Sequence, residues 1–285
     1  EEGIMMSDLS EKDVKALNDK NAKIEAILNK KADELASDDE IDSMMNKVAD
    51  KIVAKVDLGD MVRQIVGVAA DEEEQHQKEV TKEGNPAKPT GTAGEEMLAR
   101  MNESHAALTM WGLSHFDWRG DENVLDIGCG GGANLKHMSA RIKTGHLTGV
   151  DYSKVSVQES RKLNADDIED GKMDILEGSV EKLPFEDDSF DKITTVESFY
   201  FWPDPPENLK EVYRVLKPGG TFLLIAEIYG RPDLSDAVQE NIIRYHLYNP
   251  TPEVFGRIFR EAGFTNVEIH IESTEGWICV EGKKE

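Results

Sequence analysis

Residues 124–134 read Val-Leu-Asp-Ile-Gly-Cys-Gly-Gly-Gly-Ala-Asn, an apolar strand that turns into a helix through a run of glycines. Glycine suits such a turn because it adopts positive φ angles and leaves room for a ligand beside the backbone. Ligands of open parallel sheets bind at the carboxyl ends of the strands, where this loop would lie. The stretch therefore predicts a ligand site on a doubly wound fold.

Apolar strands alternate with helical stretches on the carboxyl side of this loop. Such alternation predicts right-handed crossovers and a buried parallel sheet, and the two final runs predict an antiparallel hairpin. We predict an α/β fold, a Rossmann-like, doubly wound, seven-stranded and mostly parallel sheet that closes with an antiparallel C-terminal hairpin. The predicted strands are 123–127, 147–151, 173–176, 192–196, 222–226, 264–271 and 276–280, with helices near 134–142, 153–169, 206–216 and 236–247.

The chain divides into two parts by its aromatic content, since no Phe, Tyr or Trp precedes Trp111. Residues 1–83 carry periodic apolar positions that predict an α-helical N-terminal extension, and residues 84–94, rich in Pro and Gly, predict a linker. The rest, 95–285, forms the predicted main domain. Helices without aromatic anchors form a thin core. We therefore expect the extension to pack on the main domain or a second subunit, or else to dock a partner protein, with disorder as the remaining alternative.

Composition excludes several classes of function. The 57 acidic residues against 33 basic ones give a net charge of −24, which disfavours binding to nucleic acid or to an anionic membrane surface. No apolar run approaches the roughly 20 residues that span a bilayer, and no secretory signal is visible. Two cysteines are too few for a disulfide framework, and the histidines lack metal-ligand spacing. We expect a cytoplasmic protein without a metal site.

The glycine loop by itself fits two kinds of ligand. Residues 128–133 match the G-x-G-x-x-A dinucleotide fingerprint, and Asp151 at the end of the next strand can hold a ribose in either case. Asp126 adds negative charge beside the loop, and the helix entry has no Lys or Arg before Lys136. These charges favour a cationic ligand over a pyrophosphate.

In combination, the motifs resemble those of class I S-adenosylmethionine-dependent methyltransferases. Asp126-x-Gly128-x-Gly130-x-Gly132 looks like the first motif of that family, and Asp151 matches its ribose-binding acid. Residues 178–185 with 188–191 resemble the segment that borders the adenine, and 212–220 resemble the helix and turn before the fifth strand. The closest similarity is to the small-molecule branch that includes ubiquinone biosynthesis.

The resemblance implies S-adenosyl-L-methionine as cofactor and S-adenosyl-L-homocysteine as product. Asp126 and the loop would orient the methionine part, and Asp151 would fix the ribose. The family often has an acid where Ser179 stands, so adenine recognition is expected from the Ser179 hydroxyl and the Val180 backbone. The predicted cofactor-binding residues are Asp126, Gly128, Cys129, Gly130, Gly132, Asp151, Tyr152, Ser179, Val180, Glu181 and Glu197.

Acceptor-side candidates come from three segments. The fourth strand ends in Glu197 and Phe199-Tyr200-Phe201-Trp202, which supply a possible base, Glu197, and aromatic side chains that either pack in the core or line the acceptor pocket. His105 lies on a helix expected across the cofactor mouth and is either a base or a structural histidine. The insertion 229–250 is expected to act as a lid, and its Arg231 either pairs with an acidic acceptor or lies on the surface. The predicted catalytic residues are Glu197, His105 and Tyr200.

These observations lead to two hypotheses of different classes. In the first, the protein is an enzyme that transfers a methyl group by in-line displacement to a small-molecule acceptor, with no covalent enzyme intermediate. In the second, it is a cofactor-binding regulatory or interaction protein whose N-terminal helices dock a partner. The expected partners are a small molecule, and a homodimer mate or partner protein through those helices, with neither nucleic acid nor membrane.

Overall fold

A computed structural model of the chain describes residue 76 and residues 79–285, which belong to one compact unit. The helices predicted within 1–83 lie almost entirely outside these described residues. The domain prediction for that extension, including its packing, therefore stays a prediction.

The main domain alternates helices and strands as the sequence pattern predicts. A short 3-10 turn, Phe199–Phe201, follows the fourth strand. The strands are β1 Asn123–Ile127, β2 His146–Asp151, β3 Met173–Glu177, β4 Phe190–Val196, β5 Leu216–Ala226, β6 Thr265–Glu272 and β7 Trp277–Lys283. The helices are α1 Gly91–Ser104, α2 Ala106–Leu113, α3 Ala133–Ser139, α4 Lys154–Leu163, α5 Ala165–Glu169, α6 Pro205–Val215, α7 Asp236–Tyr245 and α8 Pro252–Ala262.

The strands form one seven-stranded sheet in the order β3-β2-β1-β4-β5-β7-β6. Strands β1 to β5 pair in parallel, whereas β7 runs antiparallel between β5 and β6. This confirms the predicted Rossmann-like sheet with its C-terminal hairpin. The strand order reverses between β1 and β4, and in doubly wound sheets a crevice for ligands opens at that point.

Helices cover both faces of the sheet and divide the core into two clusters. One face packs α6 and α8 on the sheet, and its largest buried side chains include Phe222, Phe255 and Phe259. The other face packs α2 and α3, with Leu113 and Leu135 fully buried. Burial on both faces explains why the central strands read as continuous apolar runs.

Several element boundaries differ from the sequence prediction for local reasons. β5 begins early, at Leu216, because this residue pairs with Phe190 before the register shifts. The helix predicted over 153–169 is divided at Asn164, whose buried Nδ2 donates to Ser160 O at 2.9 Å and to Gly132 O at 3.1 Å.

The segment predicted as a linker, 84–94, packs on the domain. The Ser153 hydroxyl donates to Pro89 O at 2.6 Å, and the Tyr152 hydroxyl donates to Ala87 O. Helix α1 already begins at Gly91. A sequence rich in Pro and Gly therefore becomes part of the wall beside β2.

Candidate functional site

A cavity of about 240 Å³ opens at the carboxyl ends of β1, β2 and β4. Its walls are the glycine loop after β1, the segment after β3, the segment after β4, and the inner side of α1. The position is the crevice that the strand order creates, because the carboxyl ends of parallel strands meet at one edge of the sheet.

The glycine loop is held in place by hydrogen bonds to β2. Gly128 N and Cys129 N both donate to Val150 O, at 2.8 and 3.1 Å, and Gly130 N donates to Asp151 Oδ2 at 2.9 Å. Gly128 has a φ of +72°, and a Cβ there would lie 2.1 Å from Ser198 Oγ. The chain can pass here only without a side chain.

Gly130 leaves open space on the cavity side of the loop. Its φ is +52°, and an added Cβ would meet only Leu98 Cδ2, at 3.6 Å. The side chain of Asn102 on α1 reaches the same loop, and its Nδ2 donates to Gly131 O at 3.4 Å. The loop thus provides a cradle for a ligand, covered from α1.

Asp126 is a buried carboxyl at the floor of the cavity. Its Oδ1 accepts hydrogen bonds of 2.7 Å from Asn134 Nδ2 and from the Thr194 hydroxyl. Burial raises the pKa of Asp126 to about 7, and these two hydrogen bonds oppose the shift. A cationic ligand would favour the ionised form.

Asp151 is fixed at the end of β2 by backbone donors. Its Oδ1 accepts from Ser153 N at 2.8 Å, and its Oδ2 accepts from Gly130 N. Burial raises the pKa of Asp151, and these backbone hydrogen bonds lower it. The carboxylate therefore connects the glycine loop to the start of α4.

The predicted adenine side lies after β3. Ser179 Oγ lies 3.1 Å from Glu181 Oε2 and accepts from Glu181 N at 3.2 Å. Val180 is buried, and Glu181 brings an exposed carboxylate to the cavity. The acid that is absent at position 179 is thus present two residues later, paired with the Ser179 hydroxyl.

The acceptor side contains a buried carboxyl, Glu197. The Tyr200 hydroxyl donates to Glu197 Oε2 at 2.6 Å, and Glu227 N donates to Glu197 Oε1 at 2.7 Å. His105 Nε2 lies 4.0 Å from Glu197 Oε2. Burial raises the pKa of Glu197 to about 8, aided by the Glu227 carboxylate, and burial lowers the pKa of His105. At neutral pH both groups are held mainly uncharged.

Glu197 also has an unusual backbone conformation. Its φ is 53°, in the left-handed region that favours glycine. For a residue with a Cβ this conformation costs about 1–2 kcal/mol, and such strain clusters at functional sites. Glu197 is the residue that directly follows β4, at the carboxyl end of the sheet.

The aromatic segment after β4 divides between core and cavity. Phe199 is buried and packs against Trp202 and Phe255, at ring-centroid distances of 5.0 and 5.5 Å. Phe201 and Trp202 line the cavity. Phe199 therefore packs in the core, whereas Phe201 and Trp202 reach the cavity in which the acceptor is expected.

The structure brings most predicted site residues together at this cavity. Gly132 and Tyr200 do not line it. Tyr200 contributes indirectly, because its hydroxyl donates a hydrogen bond to Glu197, which does line the cavity. None of the lining residues comes from the insertion 229–250, which was expected to act as a lid. The two ends of this insertion are joined by a hydrogen bond of 2.9 Å from Gly230 N to Pro250 O. The predicted residues that line it are Asp126, Gly128, Cys129, Gly130, Asp151, Tyr152, Ser179, Val180, Glu181, Glu197 and His105.

Arg231, the candidate partner of an acidic acceptor, lies outside the cavity lining. Its guanidinium stands 5.3 Å from the Tyr229 ring, and its Nε lies 3.6 Å from Asp233 Oδ1. Of its two interpretations, these contacts favour a position at the surface over a contact with the acceptor.

Several site residues escaped the sequence analysis because they reach the cavity only in the folded chain. Asn102 and the Pro86-Ala87 pair come from segments far from the glycine loop. The sequence could have identified Thr194 as a site residue. It lies two residues before Val196, the last residue of β4, and residues two apart on a strand point to the same face of the sheet. Glu227 follows β5 directly, at the same edge of the sheet.

Comparison with known proteins shows what this chain is similar to. Residues 125–224 match a family described as a methyltransferase domain. The chain is 28% identical over 190 residues to the uncharacterized methyltransferase YdaC of Bacillus subtilis, covering 65% of this chain and 95% of YdaC. It is 31% identical over 163 residues to the chloroplastic 2-methyl-6-phytyl-1,4-hydroquinone methyltransferase of Arabidopsis thaliana, covering 57% of this chain and 45% of the plant protein. The chain thus spans less than half of that relative.

A solved structure shows the same fold. A SAM dependent methyltransferase from Aquifex aeolicus superimposes with a TM-score of 0.54 at 19% identity, covering 66% of this chain and 97% of that one. Within the described part of the chain, no helix has the length and apolar character needed to cross a bilayer.

Proposed function

We propose that this chain, whose residues 125–224 match a methyltransferase domain, is a class I S-adenosylmethionine-dependent methyltransferase. It transfers the methyl group to a small, uncharged or cationic acceptor in the cavity between the glycine loop and Glu197. The observation that carries the proposal is the meeting of a cofactor cradle and a buried, strained carboxyl at one sheet edge. The acceptor class goes beyond what the family match establishes.

The residues around the loop fit a sulfonium cofactor. Gly130 has no side chain and so leaves space for the cofactor beside the loop. Asp126 supplies a carboxyl whose ionised form a positively charged sulfonium would favour. Asp151 stands at the end of β2, where a ribose would meet it. Ser179 and Glu181 offer a hydroxyl and a carboxylate for an adenine edge. When bound, the cofactor supplies an electrophilic methyl carbon.

The chain's own residues then have three tasks. The walls formed by α1 and by Phe201-Trp202 exclude water from the reacting centre and hold the acceptor in line. Where the acceptor must lose a proton, the ionised form of Glu197 takes it, and this form becomes more abundant as the pH approaches about 8. The Tyr200 hydroxyl and Glu227 N donate to the two oxygens of that carboxylate. His105, 4.0 Å away, is placed to receive or return that proton.

Charge and relatives support a small acceptor. A net charge of −24 repels a polyanion over long range, most strongly at low salt. The Arabidopsis relative is named for 2-methyl-6-phytyl-1,4-hydroquinone, which is a small molecule and not a polymer. Two buried free cysteines suit a reducing compartment, and we propose that the protein acts in the cytoplasm.

The decisive experiment offers methyl-deuterated cofactor to the full chain with a metabolite extract and, separately, with total RNA and DNA at low salt. We expect labelled small molecules, and no label with a Gly130→Ala control. Efficient labelling of nucleic acid that falls steeply with salt would contradict the acceptor class. Calorimetry should show binding of the cofactor or its demethylated product, and tight NAD binding without either would contradict the cofactor.

The alternative is a regulatory protein that binds the cofactor without turnover. Cofactor binding in the absence of any labelled product from either pool would favour it. The proposed partner surface on residues 1–83 belongs to this alternative, and also to a homodimer that retains activity.

A further inference from the structure

A second cluster of ligand-type side chains lies on the β6–β7 hairpin, away from the glycine loop. His270 Nε2 stands 3.7 Å from Glu281 Oε2 and 4.0 Å from Glu268 Oε2. One ligand atom from each of the three residues lies within 4.8 Å of the other two. These separations are too long for hydrogen bonds. They are close to the distance of about 3.4 Å between donor atoms that share one tetrahedral zinc ion.

The strand register explains why these three side chains converge. In the antiparallel pair, Glu268 stands opposite Glu281, and His270 stands opposite Cys279. Directly opposed residues point to the same face of a sheet, as do residues two apart on one strand. The three ligands therefore share the face on which Cys279 is buried.

Two buried imidazole nitrogens at this place have no hydrogen-bond partner. They are His270 Nε2 and His115 Nε2. His115 follows α2 and stacks on the His270 ring, with centroids 3.9 Å apart and planes inclined by 17°. The stack holds the His270 ring in place, while its Nε2 is left without a hydrogen bond.

Each of the two carboxylates, Glu268 and Glu281, has one oxygen close to His270 Nε2. Lys283 Nζ lies 3.3 Å from Glu281 Oε1, so the ammonium pairs with that oxygen while Oε2 faces the histidine. The exposed Glu268 brings a second carboxylate oxygen to the same nitrogen, at a distance of 4.0 Å. A cation at His270 Nε2 would thus meet two negative oxygens.

The other mixed cluster, His105 with Glu197 and Glu227, carries less weight as a metal site. Both oxygens of Glu197 already accept hydrogen bonds, from the Tyr200 hydroxyl and from Glu227 N. That cluster also belongs to the acceptor side of the proposed methyl-transfer site. On the hairpin, by contrast, the histidine nitrogen is left without a partner.

We propose that Glu268, His270 and Glu281 bind Zn²⁺ or a similar divalent transition metal, with His115 orienting the His270 ring. An imidazole combined with carboxylates suits such ions better than Mg²⁺ or Ca²⁺. Three protein ligands leave a fourth position for water. The ion ties the edge strand β6 to β7, independently of the methyl-transfer chemistry.

The test uses the full chain, treated with a chelator and then titrated with Zn²⁺ by calorimetry and with Co²⁺ by visible absorption. We expect a single bound ion, an absorption typical of tetrahedral Co²⁺ and a higher melting temperature. His270→Gln should weaken binding by at least about tenfold. The matched control is His146→Gln, a second partly exposed histidine beside a carboxylate, at 3.0 Å from Asp174. It should leave the affinity unchanged, as should His105→Gln.

Lys283→Gln provides a test in the opposite direction. Removing the ammonium frees Glu281 Oε1 and removes a positive charge from the site, so the variant should bind Zn²⁺ more tightly than the unchanged protein. Glu268→Gln changes an exposed side chain, so we expect it to fold normally and to bind more weakly. Equal Zn²⁺ affinity in the unchanged protein, His270→Gln and Glu268→Gln would overturn the proposal. So would loss of binding in His105→Gln alone.

Discussion

The Tyr200 hydroxyl lies 2.6 Å from Glu197 Oε2, and both side chains are buried at the carboxyl end of β4. Burial alone would keep the Glu197 carboxyl protonated well above its ordinary range, and the tyrosine hydrogen bond partly reverses that effect. The two opposing effects leave the pKa of the buried Glu197 carboxyl at about 8, so it loses its proton at mildly alkaline pH.

Glu197→Gln tests the role of this carboxyl as a base. Because the pKa of Glu197 is raised to about 8, the rate for an acceptor that loses a proton should rise as the pH passes through about 8. The glutamine variant should lose that rise and show a kcat lower by about 10²–10⁴-fold. A pH–rate profile of both proteins at saturating cofactor measures this.

Tyr200→Phe serves as the control for positioning. It removes a hydrogen bond that favours the ionised carboxylate, so the inflection should move to higher pH while the group that titrates stays the same. An unchanged profile in both variants would show that Glu197 has no part in proton transfer.

The same carboxyl should oppose folding at alkaline pH. The folded-state pKa of Glu197 lies above its ordinary value of 4.5, so its contribution to stability is complete below that value and is lost as the pH rises through about 8. Glu197→Gln cannot ionise and should lose less stability over this window. Urea unfolding at several pH values measures the difference. A parallel decline in both proteins would argue against the raised pKa.

Asp126 should couple cofactor binding to pH. Its pKa is raised to about 7 by burial, and a cationic ligand favours the ionised form. We therefore expect affinity for the sulfonium cofactor to increase as the pH rises from about 6 to 8. Asp126→Asn keeps an acceptor for Thr194 and Asn134, so it should fold, bind more weakly and lose the pH dependence. Calorimetry with the neutral sulfur product is the control, because its sulfur carries no charge.

Two glycines of the loop should respond differently to alanine. At Gly130 an added Cβ meets only Leu98 at 3.6 Å, so Gly130→Ala should cost about 1–2 kcal/mol for its positive φ, remain folded and lose cofactor affinity. At Gly128 the added Cβ would lie 2.1 Å from Ser198 Oγ, so that variant should unfold at clearly lower denaturant. Thermal melts with and without cofactor separate the two effects. Equal behaviour of the two variants would contradict the placement of Gly130 beside the ligand.

Two truncations should reveal the role of the segment before α1. Removal of residues 1–78 leaves the Pro86-Ala87 pair and Pro89 in place, and we expect cofactor binding to persist. Removal of 1–90 also takes away the Ala87 and Pro89 carbonyls that accept from Tyr152 and Ser153, so binding should weaken. Calorimetry on both proteins checks this. Equal affinity would mean that 84–94 is only the connector that its composition suggests.

The glycine loop and the alternating pattern were sufficient to predict the sheet. The run from Val124 to Asn134 contains a glycine at position 128 because a Cβ there would collide with the Ser198 hydroxyl. The strands are apolar along their length because both of their faces are buried. Boundaries were harder to predict. The break at Asn164 depends on hydrogen bonds to Ser160 and to Gly132, and the latter lies far away along the chain.

The sequence by itself determined the fold and the residues that follow each parallel strand, since every such residue is carried to the same edge. Tertiary structure decided which of those residues touch. Tyr200 was predicted at the site, but it contacts Glu197 without lining the cavity. Asn102 and Ala87 reach the cavity from segments that carry no motif. Glu268 and Glu281 meet only because antiparallel pairing folds β7 back beside β6. Contacts between distant segments depend on register and packing, and a local pattern of residue types does not contain that information.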